Sequence, residues 1–244
     1  MANWSDPRAT LSPGVAAETA ATDTGLRRYM LSVYNYMTSG VLLTGIVALL
    51  MFSTGAVSAM VGPRGGLSGL GWVVALAPFG LVLWLSFGIN RMSEGTAKAL
   101  FWLYAAVTGA GLSTLLLAYT GSSIAQTFFA TAAAFAGLSL YGYTTKRDLG
   151  PIGTFLIMGV VGLLVAMLIN MFVQSQGMDL IISFVGVLLF AGLTAYDTQK
   201  IKSMYFQVAG TSFAGKSVVM GALTLYLDFL NMFLFLLRFL GDRR

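Results

Sequence analysis

The sequence predicts an all-α, polytopic membrane protein of about seven transmembrane helices, with the last helix at the centre. Three observations predict it. Only 9% of the 244 residues are charged and 57% are hydrophobic, whereas a soluble domain carries roughly 25% charged residues. The apolar residues gather into runs close to the roughly 20 residues that cross a hydrocarbon core of about 30 Å. The final run carries one polar stripe on an otherwise apolar helix, the pattern of a helix surrounded by neighbours.

The same composition removes several function classes. There is no Cys and no His, so disulfides, thiol nucleophiles, His-based triads and most zinc sites are excluded. The net charge of +5 sits on Lys and Arg scattered between apolar runs. That distribution reads as topology signals and not as a nucleic-acid surface. The bilayer is the expected partner, and the 29 glycines let helix backbones approach closely within it.

In chain order, residues 1–26 are polar and rich in Ala, Thr and Ser, with Pro7 and Pro13. They read as a mobile cytoplasmic tail, and no apolar run follows Met1 as a secretory signal would require. Residues 27–244 read as a single transmembrane domain, entered through Arg27 and Arg28. Its apolar segments are 31–54, 69–90, 97–119, 124–144, 152–174, 179–197 and 217–240. The fourth, holding Gln126 and several Thr, and the short sixth are the weakest; losing one leaves six spans and a re-entrant stretch. With the N-terminus cytoplasmic, Arg64, Arg238, Arg243 and Arg244 lie outside and the other ten of the 14 basic residues inside. That bias favours N-in, C-out. The basic C-terminus argues the other way, and a last segment that enters and returns would explain it.

Seven of the nine acids fall in tails or loops: Asp6, Glu18, Asp23, Glu94, Asp148, Asp179 and Asp242. Asp197 ends the sixth segment, and Asp228 lies near the middle of the seventh. A central Asp costs about 2.5–3.5 kcal/mol to insert, so it needs a partner or a protein-lined cavity. Gly221, Thr224, Asp228 and Asn231 share one stripe of the last helix. Asp228 is either a structural hydrogen-bonding post or part of an ion or proton pathway. Asp197 is either in the same pathway or a helix end at the interface, with Lys200 and Lys202 at the headgroups. Arg91, at the inner end of the second segment, is a snorkelling anchor or a partner for these acids. Asn170 reads as an interhelical hydrogen-bond donor, and Trp72, Trp102 and Tyr205 as interface anchors. Gly65-Gly66 is a turn. No phosphate-loop, dinucleotide or zinc-finger spacing occurs.

Tyr196-Asp197-Thr198-Gln199, then a basic loop, then Leu225-Tyr226-Leu227-Asp228-Phe229-Leu230-Asn231 resembles the signature of the Bax inhibitor-1 (TMBIM) family. Val33-Tyr34-Asn35-Tyr36-Met37, with Gly40 and Thr44-Gly45, is similar to that family's first segment in its bacterial, YccA-like branch. The resemblance covers roughly residues 25–241. It implies six helices around a central seventh and a pH-sensitive calcium leak. It also implies that Asp197 and Asp228 form the pH sensor and the calcium ligands, with Arg91 pairing to the sensor in one state. Tyr196, Thr224 and Asn231 would be the supporting polar groups, and Ca²⁺ or protons the bound or transported species. One departure stands out. Some bacterial relatives carry an acid about three turns before the arginine, where this chain has Gly80 and no acid in 69–90.

The chemistry of such a pair follows from electrostatics. Two carboxylates close together and poorly solvated resist ionising together and share one proton, titrating as a unit. The shared proton joins two helices. Its loss leaves two negative charges that repel or attract a divalent cation, for which oxygen ligands are suited. The resemblance also implies a rival reading: a regulator without channel activity, whose tail and cytoplasmic loops modulate a partner such as a membrane-bound AAA protease. An enzyme is not expected: no nucleophile–base motif occurs, and the Gly-x-Gly-Asp pattern of two-aspartate intramembrane proteases is absent around both acids.

Overall fold

The structure is a computed structural model that describes residues 13–63 and 66–244, with side chains described from residue 22 onward. Residues 1–12 of the expected tail, the Glu18 side chain, Arg64 and Gly65 lie outside the described residues. The helices are α1 (Pro13–Ser53), α2 (Gly69–Gly88), α3 (Glu94–Leu112), the short α4 (Leu115–Ala118), α5 (Gly121–Thr144), α6 (Gly150–Val173), α7 (Gln176–Val208) and α8 (Ala214–Leu240). Among the described residues, seven helical spans, with α3 and α4 forming one, are long and apolar enough to cross a membrane. The fourth and sixth apolar segments are both among them.

Hydroxyl caps start four of these helices. Ser68, Ser93, Thr120 and Ser175 each accept a backbone N–H from the first turn of α2, α3, α5 and α7 respectively, satisfying donors that the helix itself leaves free. Gly55 after α1 and Gly210 after α7 have positive φ, the left-handed conformation that glycine adopts without strain.

Helix α8 is the axis of the bundle. It packs against α7, α1, α5 and α3, and no residue from 213 to 237 is exposed. Of its apolar stretch 72% is buried, against 11% for α2 and 17% for α6. The centre is tied by Tyr226, which is fully buried. Its hydroxyl lies 2.6 Å from Thr44 Oγ1, and that hydroxyl also lies 2.9 Å from the Ala105 carbonyl. One contact set thus joins α8, α1 and α3. Phe101 and Tyr104 meet the Tyr226 ring edge-on at 6.0 and 5.5 Å, a favoured aromatic geometry.

Three boundaries differ from the hydropathy reading. Helix α1 begins at Pro13, so the expected domain start at residue 27 falls inside a helix, and Leu26 is buried in the core. Helix α7 continues eleven residues past Asp197 to Val208, because Thr198 and Ile201 are buried against the bundle and hold a polar stretch in place. Helix α8 does not turn back. Its C-terminus is pinned beside the start of α5: Thr120 N donates to Asp242 O at 3.1 Å, and Asp242 N donates to Ser123 Oγ at 3.0 Å. Arg243 lies over the Tyr119 ring at 5.9 Å. The basic C-terminus therefore lies at the end of the bundle opposite the α2–α3, α5–α6 and α7–α8 connections.

Candidate functional site

Helices α7 and α8 pack along most of their length, and their two intramembrane acids face each other. Asp197 is 8% exposed and Asp228 is 4% exposed, and their carboxyl groups are within hydrogen-bonding reach. Asp197 therefore does not end its helix at the interface: it lies inside α7 and points into the bundle. One carboxyl oxygen of Asp228, Oδ2, is buried with no hydrogen-bond partner. A buried, unpartnered carboxylate oxygen is costly.

The other expected residues are arranged more loosely. Gly221 brings the α8 backbone close to α7 and α1; a Cβ there would sit 3.2 Å from Ile201 Cγ2 and 3.4 Å from Val33 Cγ1. Thr224 Oγ1 donates to Met220 O at 3.1 Å, and Asn231 Nδ2 donates to Leu227 O at 2.9 Å. Both therefore bond within their own helix, and neither bonds to an aspartate. Tyr196 faces α6, with its ring against Gly153 and Lys200 Nζ 5.8 Å from its centroid. Asn231 also lines a cavity of about 190 Å³ at the C-terminal end of α8, with Arg238 and Tyr119 on its wall. That cavity reaches to within one helical turn of Asp228.

Arg91 is exposed in the turn after α2. Among the described residues the ion pairs are Lys98–Glu94 and Arg238–Asp179, so Arg91 pairs with neither aspartate in this conformation. Helix α2 packs mainly on α3, and its end meets the start of α8, where Lys216 Nζ donates to Ile89 O at 3.2 Å. Gly80 faces open space with nothing within 4 Å of a Cβ. Asn170 is not an interhelical donor: its Oδ1 accepts from Ser175 N at 3.0 Å and closes the α6–α7 turn. Trp102 and Tyr205 are half-buried and pack on Phe101 and Tyr29, while Trp72 is exposed.

Sequence reasoning missed a second polar element. Tyr34 Oη lies 2.5 Å from Ser139 Oγ, which lies 2.9 Å from Thr198 Oγ1. These hydroxyls link α1, α5 and α7 beside Asp197. A signal was present: Ser123, Thr127, Thr131 and Ser139 recur at multiples of four along α5 and are all buried.

The family model described as inhibitor of apoptosis-promoting Bax1 matches residues 26–244. The chain belongs to the Bax inhibitor-1 family. It is 46% identical to the inner membrane protein YbhL of Escherichia coli over 223 residues, covering 90% of this chain and 94% of that one. It is 48% identical to an uncharacterised protein of Rickettsia prowazekii over 91% of this chain and 92% of that one. An uncharacterised protein of Caulobacter vibrioides is 44% identical, with 92% of each chain covered.

Proposed function

We propose that this Bax inhibitor-1 family protein is a pH-sensitive cation leak, with calcium as the ion, gated by Asp197 and Asp228. The carrying observation is the placement of two buried acids face to face on consecutive helices, one of them with an unpartnered oxygen. With one proton shared between them, the pair bridges α7 and α8 and the path is shut. As pH rises and the proton leaves, two negative charges remain at the centre of the bundle. They push the helices apart or draw in a divalent cation. Among the described residues no third acid joins the pair in a metal-sized cluster. Water and carbonyl oxygens would complete the coordination, and binding would stay weak enough for the ion to leave, as conduction requires.

The cavity at Asn231 offers an approach from the C-terminal end of α8. The tight contact of Gly221 with Ile201 and Val33 closes the other side. Arg91 enters this reading in a second state, where the α2–α3 turn brings it onto Asp197. The location we propose is the bacterial inner membrane with the N-terminus cytoplasmic, because the basic connections α2–α3, α5–α6 and α7–α8 share one end of the bundle.

The test is calcium flux into vesicles that contain only this protein, followed over a pH series. Flux should rise from mildly acidic to mildly basic pH. No flux at any pH would sink the channel. The reading left standing would be a regulator of a membrane-bound AAA protease, for which the extension of α1 back to Pro13 supplies a docking helix.

A further inference from the structure

Helices α1 and α5 both pack on α8, yet they touch each other little beyond the Tyr34–Ser139 hydrogen bond. Between them a groove of about 690 Å³ opens sideways to the membrane. Its walls run from Arg27 to Val41 on α1 and from Phe128 to Tyr143 on α5, and its floor includes Phe229 of α8. At 1.5 Å per residue each wall is roughly 21–22 Å long, somewhat more than the half-thickness of a hydrocarbon core of about 30 Å. A second cavity of about 340 Å³ continues it through Val41, Phe128 and Phe229 toward Gly121.

The polarity of the groove is graded along its length. The middle is mainly apolar: of its hydroxyls, Tyr34 and Ser139 bond to each other, and Thr38 on α1 is the other mid-groove hydroxyl. The one charged lining residue is Arg27, at the end where α1 enters, and no acid lines the groove. Arg27 belongs to neither ion pair among the described residues. Lys202 adds a second cation at that end, its Nζ 2.7 Å from the Tyr143 carbonyl and 5.0 Å from the centroid of the Tyr143 ring.

We propose that this groove is a binding site for one anionic phospholipid, with an acyl chain lying between α1 and α5 and the phosphate on Arg27. The apolar length takes the chain, and the unpaired cation at the mouth selects the charged headgroup. Phe229, next to Asp228 in α8, places the chain against the residue beside the acidic pair. The site stands without the channel reading, because it rests on the groove alone.

The test is native mass spectrometry of the full-length protein in detergent, titrated with phosphatidylglycerol and separately with phosphatidylcholine of the same chains. The parent should hold one phosphatidylglycerol about tenfold more tightly than phosphatidylcholine, the scale of one charge-assisted contact. Arg27→Gln should erase that preference while both lipids still bind. Ala136→Trp, which fills the groove from α5, should weaken both lipids about tenfold or more, a loss comparable to excluding a few methylenes. Ala133→Trp, on the same helix but outside the groove, should change neither. Thr38→Trp blocks the groove from α1 and replaces Ala136→Trp if that variant does not fold. Equal binding of the two lipids by the parent, or unchanged binding with the groove blocked, overturns the proposal. A protein dimer in place of the lipid adduct overturns it as well, and would make a second copy the occupant.

Discussion

Helices α2 and α8 are both apolar spans, of 20 and 27 residues, and the bundle treats them in opposite ways. Helix α2 leaves Phe79 70% and Phe87 82% exposed, while every α8 residue from 214 to 237 is buried or half-buried. In water this contrast would be unstable, since exposed Phe would drive α2 inward. In lipid an exposed apolar side chain has nothing to gain from burial against protein. Position is decided instead by groups that lipid cannot satisfy. Helix α8 carries Ser217, Thr224, Asp228 and Asn231; α2 carries Ser86 alone besides its apolar residues, Gly and Pro78. Polarity marks the centre of this bundle and apolarity its rim.

The largest effect is expected at the acidic pair. Asp228→Asn keeps the shape and hydrogen-bonding capacity but cannot share a proton, so calcium flux should lose most of its dependence on pH. Asp197→Asn should do the same, and the double variant should add little because the two act as one unit. Asp179→Asn, at the partly exposed pair with Arg238, should leave the pH profile intact. If both single variants fold and keep the parent's profile, the two aspartates are structural and the contrast with α2 is one of packing only.

The next effect separates glycines by location. A Cβ on Gly142 would overlap the Ala195 carbonyl of α7, and backbone cannot move aside as a flexible side chain can. Gly142→Ala should therefore lower stability by roughly 3 kcal/mol, the upper range of overpacking. Gly80→Ala in α2 meets open space and should raise stability by up to about 1 kcal/mol through helix propensity. Thermal midpoints in one detergent check the signs; shifts of equal size would erase the distinction between centre and rim.

Smaller effects sharpen the same line. Thr44→Val keeps the volume but strips the hydroxyl that Tyr226 meets at 2.6 Å, leaving a buried phenol unpaired at a cost of about 1–2 kcal/mol. Ser86→Ala on the exposed face of α2 should stay within about 0.5 kcal/mol. Chemical denaturation of the two variants side by side measures the difference. A Thr44→Val protein as stable as Ser86→Ala would mean that the Tyr226 contact does not hold α1, α3 and α8 together.

Much of this was legible from residue types. The apolar runs located seven spans, since length and hydropathy are local properties. The stripe Gly221, Thr224, Asp228 and Asn231 marked α8 as central, because a charged residue in lipid must face protein. Hydropathy misjudged the ends. It stopped the sixth span at Asp197, although the helix runs on to Val208, since burial of Thr198 and Ile201 compensates for the polar stretch. It read Asn170 as a bridge between helices, although it closes a local turn. It could not show that α2 leans on α3, with Arg91 exposed and in neither ion pair among the described residues.

Composition and spacing were sufficient for the membrane class, the number of spans, the central helix and the identity of the two acids. Each of these follows from the cost of placing a residue in lipid, which depends on the residue and its neighbours in the chain. That the acids face each other, that α1 and α5 leave a groove open to the membrane, and that Tyr34, Ser139 and Thr198 join three helices was decided in three dimensions. Within lipid the hydrophobic effect does not choose among arrangements of apolar helices. The choice falls to close packing at glycines and to hydrogen bonds between residues far apart in sequence, and no single segment carries that information.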